Sequence, residues 1–148
     1  MDELRGEDGF GGYCLEDLSV GMSASYARTL TETDIVLFSG ITGDTNPLHL
    51  NQDFAEATRF KGRIAHGMLS ASFISAVLGT RLPGPGAVYL SQSLSFKAPV
   101  RAGETVIARC TVTEIVAEKR QAVLATRCYV GDRLVVDGEA RVMVPTRT

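Results

Sequence analysis

The most continuous apolar segment of the chain lies over residues 66–78. After its first residue, its polar side chains are three serines, Ser70, Ser72 and Ser75. A helix with almost no polar face is buried on nearly all sides, so this segment predicts a buried central helix. Gly79 predicts the end of that helix, because glycine readily adopts the left-handed conformation of a helix C-terminus.

A strand and a shorter helix are predicted before the central helix. Residues 23–30 alternate loosely between polar and apolar side chains, which favours a strand. Thr31 is a candidate helix N-cap, with Asp34 three residues later completing a weak capping box. Apolar side chains then recur on one helical face: Ile35, Phe38 and Ile41. Gly40 and Gly43 are expected to end this helix.

Strand patterns dominate the second half of the chain, after a break at residues 83–86. Four strands are predicted, over residues 87–96, 104–116, 121–130 and 133–144. Consecutive strands joined by short turns, one of them over 99–103, predict an antiparallel sheet, and the fold class is α+β with the sheet curled around the central helix. One sheet leaves the helix partly open. A second copy of the chain would cover it, so a homodimer is expected.

Composition narrows the class of protein. A length of 148 residues favours one domain, expected over residues 16–148, with a polar, glycine-containing flexible leader over 1–15. The net charge of −2 argues against nucleic-acid and membrane-surface partners, which need a strong basic field. The acidic N-terminus does not resemble a secretory signal. Three scattered cysteines indicate reduced thiols, so the expected localisation is cytoplasmic.

The segment with the most chemistry is expected to be an irregular loop over residues 42–51. It holds Asp44 and His49, with the turn-forming pair Asn46-Pro47 between them. A turn can aim a carboxylate and an imidazole at one water molecule, removing a proton from it and delivering a proton elsewhere.

Other interpretations of this loop remain open from residue types alone. Aspartate and asparagine beside glycine and proline often only form turns, and a lone histidine is often a structural hydrogen-bonding group. Asp44, His49 and His66 could total three metal ligands. No His-x-x-x-His or Cys-x-x-Cys spacing supports them, so no metal is predicted.

The segment resembles the signature of the MaoC-like hydratases. That signature has an aromatic residue, an aliphatic and a small residue, Gly-Asp-x-Asn-Pro, an aliphatic residue and a histidine, and a small residue six positions later. The matching positions are Phe38, Ile41, Thr42, Gly43, Asp44, Asn46, Pro47, Leu48, His49 and Ala55. Two more blocks of similarity follow in order, at 63–69 and 89–100. Over roughly residues 20–144 the chain is similar to the (R)-specific enoyl-CoA hydratases of that family.

The resemblance implies a hotdog fold, in which an antiparallel sheet wraps around one long helix, usually in a dimer. It also implies reversible addition of water to a trans-2-enoyl-CoA, giving an (R)-3-hydroxyacyl-CoA. Asp44 is then expected to activate the water, and His49 to hold it and to assist proton transfer to the α carbon. Gly67 would offer its backbone N–H to the thioester oxygen at the start of the helix, unless it is only a helix-entry glycine. No cofactor is expected, because coenzyme A is part of the substrate.

Further residues are candidates for binding the acyl-CoA substrate. Asn46 either contacts substrate or shapes the loop. Ser75 matches a serine of the family helix that sits near the site, or else it bonds the carbonyl one turn back. His66 is expected to support the site or open the helix rather than to catalyse. The acyl tail is expected beside a set of apolar residues that are otherwise core: Met68, Phe73, Val77 and Leu78.

The phosphates of coenzyme A need cations. Those nearest the matched blocks are Lys61, Arg63, Lys97 and Arg101. Arg63 and Lys97 are favoured, and the alternative for all four is a solvated surface charge.

Competing functions share the fold. A (3R)-hydroxyacyl-thioester dehydratase acting on acyl-carrier protein runs the same chemistry backwards. Thioesterases of the hotdog fold lack the Gly-Asp-x-Asn-Pro-x-His block. A non-catalytic acyl-CoA-binding module is the alternative from another class, and an altered Asp44 or His49 would have indicated it.

Overall fold

The computed structural model describes residues 11–147, which form five strands and four helices. The strands are β1 (Ser23–Thr29), β2 (Val88–Phe96), β3 (Thr105–Val116), β4 (Gln121–Val130) and β5 (Arg133–Met143). The helices are α1 (Glu32–Thr42), α2 (Pro47–Leu50), α3 (Gln52–Glu56) and α4 (Gly67–Thr80). Short 3₁₀ turns lie at Leu15–Asp17 and Ala117–Lys119.

The five strands form one antiparallel sheet in the order β1-β3-β4-β5-β2. β3, β4 and β5 are joined by tight connections that use the left-handed conformation at Arg120 (φ 56°) and Gly131 (φ 57°). β2 and β3 are not neighbours, so the interpretation of residues 99–103 as a turn between adjacent strands was wrong. β2 instead pairs with β5, from Val88 opposite Met143 to Phe96 opposite Val136. The connection after β2 therefore crosses the sheet, and it runs past the site described below.

Helix α4 lies against all five strands and forms the centre of the core. Its buried members are Leu69, Ser70, Ala71, Phe73, Ile74, Val77 and Leu78. The α+β arrangement of a sheet around one central helix is thus confirmed. The helix continues past Gly79 to Thr80 and is capped at Arg81, so the predicted end at Gly79 was wrong.

One side of α4 is open in the single chain, as expected for a helix that one sheet covers. The exposed positions Met68, Ser72, Ser75 and Gly79 follow helical spacing and form one stripe. We call these four residues the open stripe. The neighbouring strand β2 also exposes large apolar side chains, at Val88, Tyr89, Leu90 and Phe96. Large apolar side chains are therefore exposed along this side of the molecule, as they also are on α1 at Val36, Leu37 and Ile41.

The segment 11–15 packs against the body of the protein, so it is not part of a flexible leader. The Tyr13 N–H donates to the carbonyl of Pro83 at 2.8 Å, and the Leu15 N–H donates to that of Pro145 at 2.8 Å. Leu15 is buried in the core. Residues 1–10, which the leader prediction also covered, lie outside the described residues. Within residues 11–147, none of the helices has the length and hydropathy that crossing a membrane requires.

Candidate active site

Helix α1 ends directly before Asp44, the first of the two titratable residues of the predicted site. The capping box predicted at its start is present, with the Asp34 N–H donating to Thr31 Oγ1 at 3.1 Å and the Thr31 N–H donating to Asp34 Oδ2 at 3.0 Å. Gly40 lies inside the helix, so its predicted role as a terminator was wrong. Gly43 ends the helix in the left-handed conformation, at φ 80°. The next residue, Asp44, therefore leaves the helix in a fixed direction.

A short helix carries His49 into the protein, where an irregular loop was expected. Asn46 caps α2, accepting the Leu48 N–H on its side-chain oxygen at 3.0 Å, and Pro47 occupies the first turn. The same Asn-Pro pair that indicates a turn is therefore also a helix start. The side chain of Asn46 is used to shape this segment.

Asp44 and His49 face each other across a short gap. His49 is buried, whereas the Asp44 side chain is 52% exposed. Asp44 Oδ2 lies 3.9 Å from His49 Nε2. A water molecule at ordinary hydrogen-bond distance of about 2.8 Å from each atom fits such a separation. The two groups can therefore hold one water between them.

His66 contacts both Asp44 and His49. It is buried, and its Nε2 lies 3.0 Å from the backbone carbonyl of Asp44 and 3.0 Å from Ser39 Oγ. Its ring stacks on that of His49, with centroids 3.8 Å apart and 29° between the planes. Burial lowers the pKa of His66 below its usual value of 6.5, which favours the neutral ring.

The same three side chains contain the residue types of a metal site. Asp44, His49 and His66 each offer a ligand atom, and these atoms lie within 4.8 Å of one another. His66 Nε2 faces the Asp44 carbonyl, which can only accept a hydrogen bond, so that nitrogen carries a proton and is not available as a ligand. Asp44 Oδ2 and His49 Nε2 remain available, and their separation of 3.9 Å suits a bound water molecule.

A cavity of about 350 Å³ opens in front of this pair. Its polar and glycine lining residues are Asp44, His49, Arg59, His66, Gly67, Ser70 and Lys97. Its apolar lining includes Phe60, Ile64, Met68, Phe96, Val135 and Val136. The cavity thus contains the polar Asp44–His49 pair and an apolar lining supplied by strands β2 and β5, by α4 and by the segment before α4.

Gly67 is the first residue of α4, where a backbone N–H has no partner within the helix. A Cβ built on Gly67 would lie 2.5 Å from ring carbon Cδ1 of Phe96. The close approach of that ring requires glycine here. Gly67 therefore leaves room for Phe96, and it lines the same cavity as Asp44 and His49 with an N–H that has no partner within the helix.

The predicted cations have different surroundings in the structure. Lys97 lines the cavity. Arg63 instead forms an ion pair with Glu32 and donates from Nε to Gln52 at 3.2 Å. Arg101 donates to two backbone carbonyls of the segment between α3 and α4, those of Phe60 and Arg63. Sequence reasoning missed Arg59, which lines the cavity beside Phe60. The only sequence signal was its position close to the candidate cations Lys61 and Arg63.

Two further predicted binding residues lie elsewhere. Leu78 is 2% exposed and belongs to the core. Ser75 lies in the open stripe and lines a second cavity, of about 490 Å³, between α4 and β2. Met68 lines both cavities. Sequence reasoning also missed Ser70, whose buried Oγ has no hydrogen-bond partner among the described residues and which lines the first cavity.

Comparison with known proteins places this geometry in context. Residues 19–132 match the family model described as MaoC like domain. An (R)-specific enoyl-CoA hydratase of Rhodospirillum rubrum is 61% identical over 132 residues, covering 89% of this chain and 92% of that protein. A 3-hydroxybutyryl-CoA dehydratase of Methylorubrum extorquens is 54% identical over 132 residues, covering 89% and 84%. The unliganded R-hydratase PhaJ1 from Pseudomonas aeruginosa superposes with a TM-score of 0.86 at 42% identity, covering 92% of this chain and 88% of that one.

Proposed function

This chain belongs to the MaoC-like family, and we propose from that premise that it is an (R)-specific enoyl-CoA hydratase whose Asp44–His49 pair carries the proton chemistry. The reaction adds water reversibly across the trans-2 double bond of an enoyl-CoA. The single observation that carries the assignment of the site is the 3.9 Å gap between Asp44 Oδ2 and His49 Nε2, beside the free N–H of Gly67.

The carboxylate and the imidazole divide the handling of the water. One hydrogen of the water points to Asp44 Oδ2 and the other to His49 Nε2, which directs the oxygen lone pairs at the β carbon of the thioester. As the C–O bond forms, Asp44 takes a proton from the water. The proton taken up by Asp44 is then passed to the α carbon with the help of His49, and the second hydrogen of the water stays on the new hydroxyl group. The net change is the addition of H and OH, and both side chains return to their starting states.

Gly67 stabilises the charge that the addition creates. Attack at the β carbon moves negative charge onto the thioester oxygen. The N–H of Gly67, at the positive end of the α4 dipole, donates to that oxygen. Because the charge grows along the reaction, the bond favours the transition state over the bound substrate.

Coenzyme A supplies phosphates that Arg59 and Lys97, two exposed cations lining the cavity, can bind. We expect replacement of either cation by glutamine to raise KM for crotonyl-CoA severalfold with little change in kcat. The crotonyl thioester of phosphate-free N-acetylcysteamine should be affected far less. Lys119→Gln, at an exposed turn outside the cavity lining, is the matched control.

The same steady-state measurement separates the two hydro-lyase assignments. A hydratase of enoyl-CoA has a higher kcat/KM for crotonyl-CoA than for crotonyl-acyl-carrier protein. The reverse preference would assign the protein to the acyl-carrier-protein dehydratases, and no turnover of either substrate would leave the assignment as a binding module.

Chelation with EDTA should not change the rate of hydration, because no step of the proposed reaction requires a metal.

A homodimer follows from the uncovered side of the molecule. The open stripe and the exposed apolar side chains of β2 are continuous, and β2 is an edge strand with one unpaired side. A second copy placed there buries both. The acyl-CoA substrate would then bind close to the interface.

Light scattering should report twice the chain mass of 15.9 kDa at micromolar concentration. Leu90→Lys, on the exposed face of β2, should shift the population toward monomer because it places a charge in the interface. Val20→Lys, at an exposed apolar position before the opposite edge strand β1, is the control and should remain dimeric. A wild-type monomer would contradict the proposal.

A further inference from the structure

The backbone and side chain of Asp44 are tied down at every polar atom except one. Its N–H donates to Thr42 Oγ1 at 3.2 Å, and its Oδ1 accepts the Asn46 N–H at 3.2 Å. Its carbonyl lies 3.0 Å from His66 Nε2. The remaining atom, Oδ2, is the one that faces His49. Of these three contacts, the one from His66 is the least exposed and comes from a distant part of the chain.

The tautomer of His49 follows from its partner. Nδ1 lies 2.7 Å from the carbonyl oxygen of Ile64, and a carbonyl can only accept. Nδ1 therefore carries the proton. In the neutral ring, Nε2 is left with a lone pair, pointing toward Asp44 and the water.

The same reasoning gives the opposite tautomer for His66. Its Nε2 faces the carbonyl of Asp44, so Nε2 carries the proton and shares it with Ser39 Oγ. Its Nδ1 is buried and has no partner among the described residues. A second proton, on Nδ1, would make His66 a cation in a buried position, with a new N–H that has no partner among the described residues and directly against the ring of His49.

From this juxtaposition we propose that His66 is a positioning residue, held as the neutral Nε2–H tautomer, which fixes the Asp44 carbonyl by hydrogen bonding and the His49 ring by stacking. The inference rests on the proposed function for its catalytic consequence, but the tautomers can be measured without it. The neutral state of His66 also affects His49. If His66 were an imidazolium, its charge would repel any positive charge that forms on the stacked ring of His49 during the reaction. Ser39 and Phe38 of α1 complete the packing around His66.

The tautomers are tested on the unmodified protein. The chain has two histidines, so a long-range ¹H–¹⁵N spectrum of a preparation without a polyhistidine tag contains two imidazole patterns. At neutral pH we expect one ring protonated at Nδ1, assigned to His49, and one at Nε2, assigned to His66. His66→Gln supplies the assignment by removing one pattern. A proton on Nδ1 of His66 would overturn the proposal, whether or not the protein hydrates enoyl-CoA.

Two substitutions separate the hydrogen bond from the stacking. His66→Phe keeps a ring on His49 and removes the N–H, whereas His66→Gln keeps an N–H donor near the position of Nε2. We expect His66→Phe to lower kcat about ten- to hundredfold with KM changed less than about threefold, because a small displacement of a catalytic group has effects of that size. His66→Gln should recover most of this loss.

The control is Thr80→Ala, which removes a side-chain hydrogen bond at the far end of the same helix and should leave kcat unchanged. Rates are expressed per folded molecule, from circular dichroism on the same samples. If His66→Phe retains wild-type kcat, or if Gln and Phe lose the same amount, His66 does not act through its N–H and the proposal fails. If the wild type hydrates no enoyl thioester but shows the expected tautomers, the proposed function fails instead.

Discussion

Asp44→Asn is expected to lower the rate of enoyl-CoA hydration by about two to four orders of magnitude, the contribution of a positioned acid or base. The amide has the shape of the carboxylate and its oxygen can still accept the Asn46 N–H, so the loop is retained. The base strength of Oδ2 is lost. Because the side chain is half exposed, the melting temperature should change little.

His49 requires two variants, because its side chain is buried and hydrogen-bonded to the Ile64 carbonyl. His49→Ala should lower the rate over the same range of about two to four orders of magnitude. It should also destabilise the fold by about 1–3 kcal/mol, since the Ile64 carbonyl loses its partner. His49→Asn keeps an N–H near the position of Nδ1 and removes Nε2, so we expect it to be better folded and equally inactive. Near-wild-type turnover in Asp44→Asn or His49→Asn would refute the assigned roles.

The second large effect is expected at Gly67. Gly67→Val should reduce kcat on the order of a hundredfold or more, because a displaced thioester no longer reaches the oxyanion donor. Substrate binding should suffer less, since the cations that would hold coenzyme A lie elsewhere in the cavity. The structure adds a complication: the new side chain meets the ring of Phe96, with Cβ 2.5 Å from its nearest carbon. Loss of activity could then come from disturbed packing alone.

The double variant Gly67→Val with Phe96→Ala separates these causes, because it removes the ring that the valine strikes. Its melting temperature should return toward that of Phe96→Ala, while its kcat stays about a hundredfold below that of Phe96→Ala. Recovery of kcat together with melting temperature would mean that Gly67 only makes room for Phe96. Measuring both quantities on each of the three variants decides the matter.

Local signals predicted the elements around the site well. The capping box at Thr31 and Asp34 set the start of α1, and the apolar run from residue 66 set the central helix, because both are patterns of neighbouring residues. Glycines were less informative. Gly40 and Gly79 are accommodated within helices, whereas Gly43 adopts the left-handed conformation that ends one. A glycine permits a helix end without requiring it.

Long-range arrangements were not accessible from the sequence. β2 pairs with β5 and not with its neighbour in the chain, because the packing of the sheet around α4 decides the partner. The stacking of His66 on His49 joins residues 17 positions apart, and neither sequence neighbourhood indicates it. Arg63 was favoured as a cation for phosphate, yet Glu32 from α1 engages it, and Arg59 lines the cavity instead. The motif predicted that Asp44 and His49 act together, and the fold determines which residues surround them.

The stereochemistry of the hydration product distinguishes an (R)-specific enoyl-CoA hydratase from an (S)-specific hydratase and from a non-catalytic acyl-CoA-binding module. Crotonyl-CoA is incubated with the wild-type protein, and the 3-hydroxybutyryl-CoA formed is offered separately to an (R)-specific and an (S)-specific 3-hydroxyacyl-CoA dehydrogenase. The Asp44–His49 pair and the Gly67 N–H hold the water and the thioester in one relative orientation, so a single enantiomer is expected. We expect a signal with the (R)-specific enzyme and none with the (S)-specific one, and an (S) product or a racemate would contradict the proposed function.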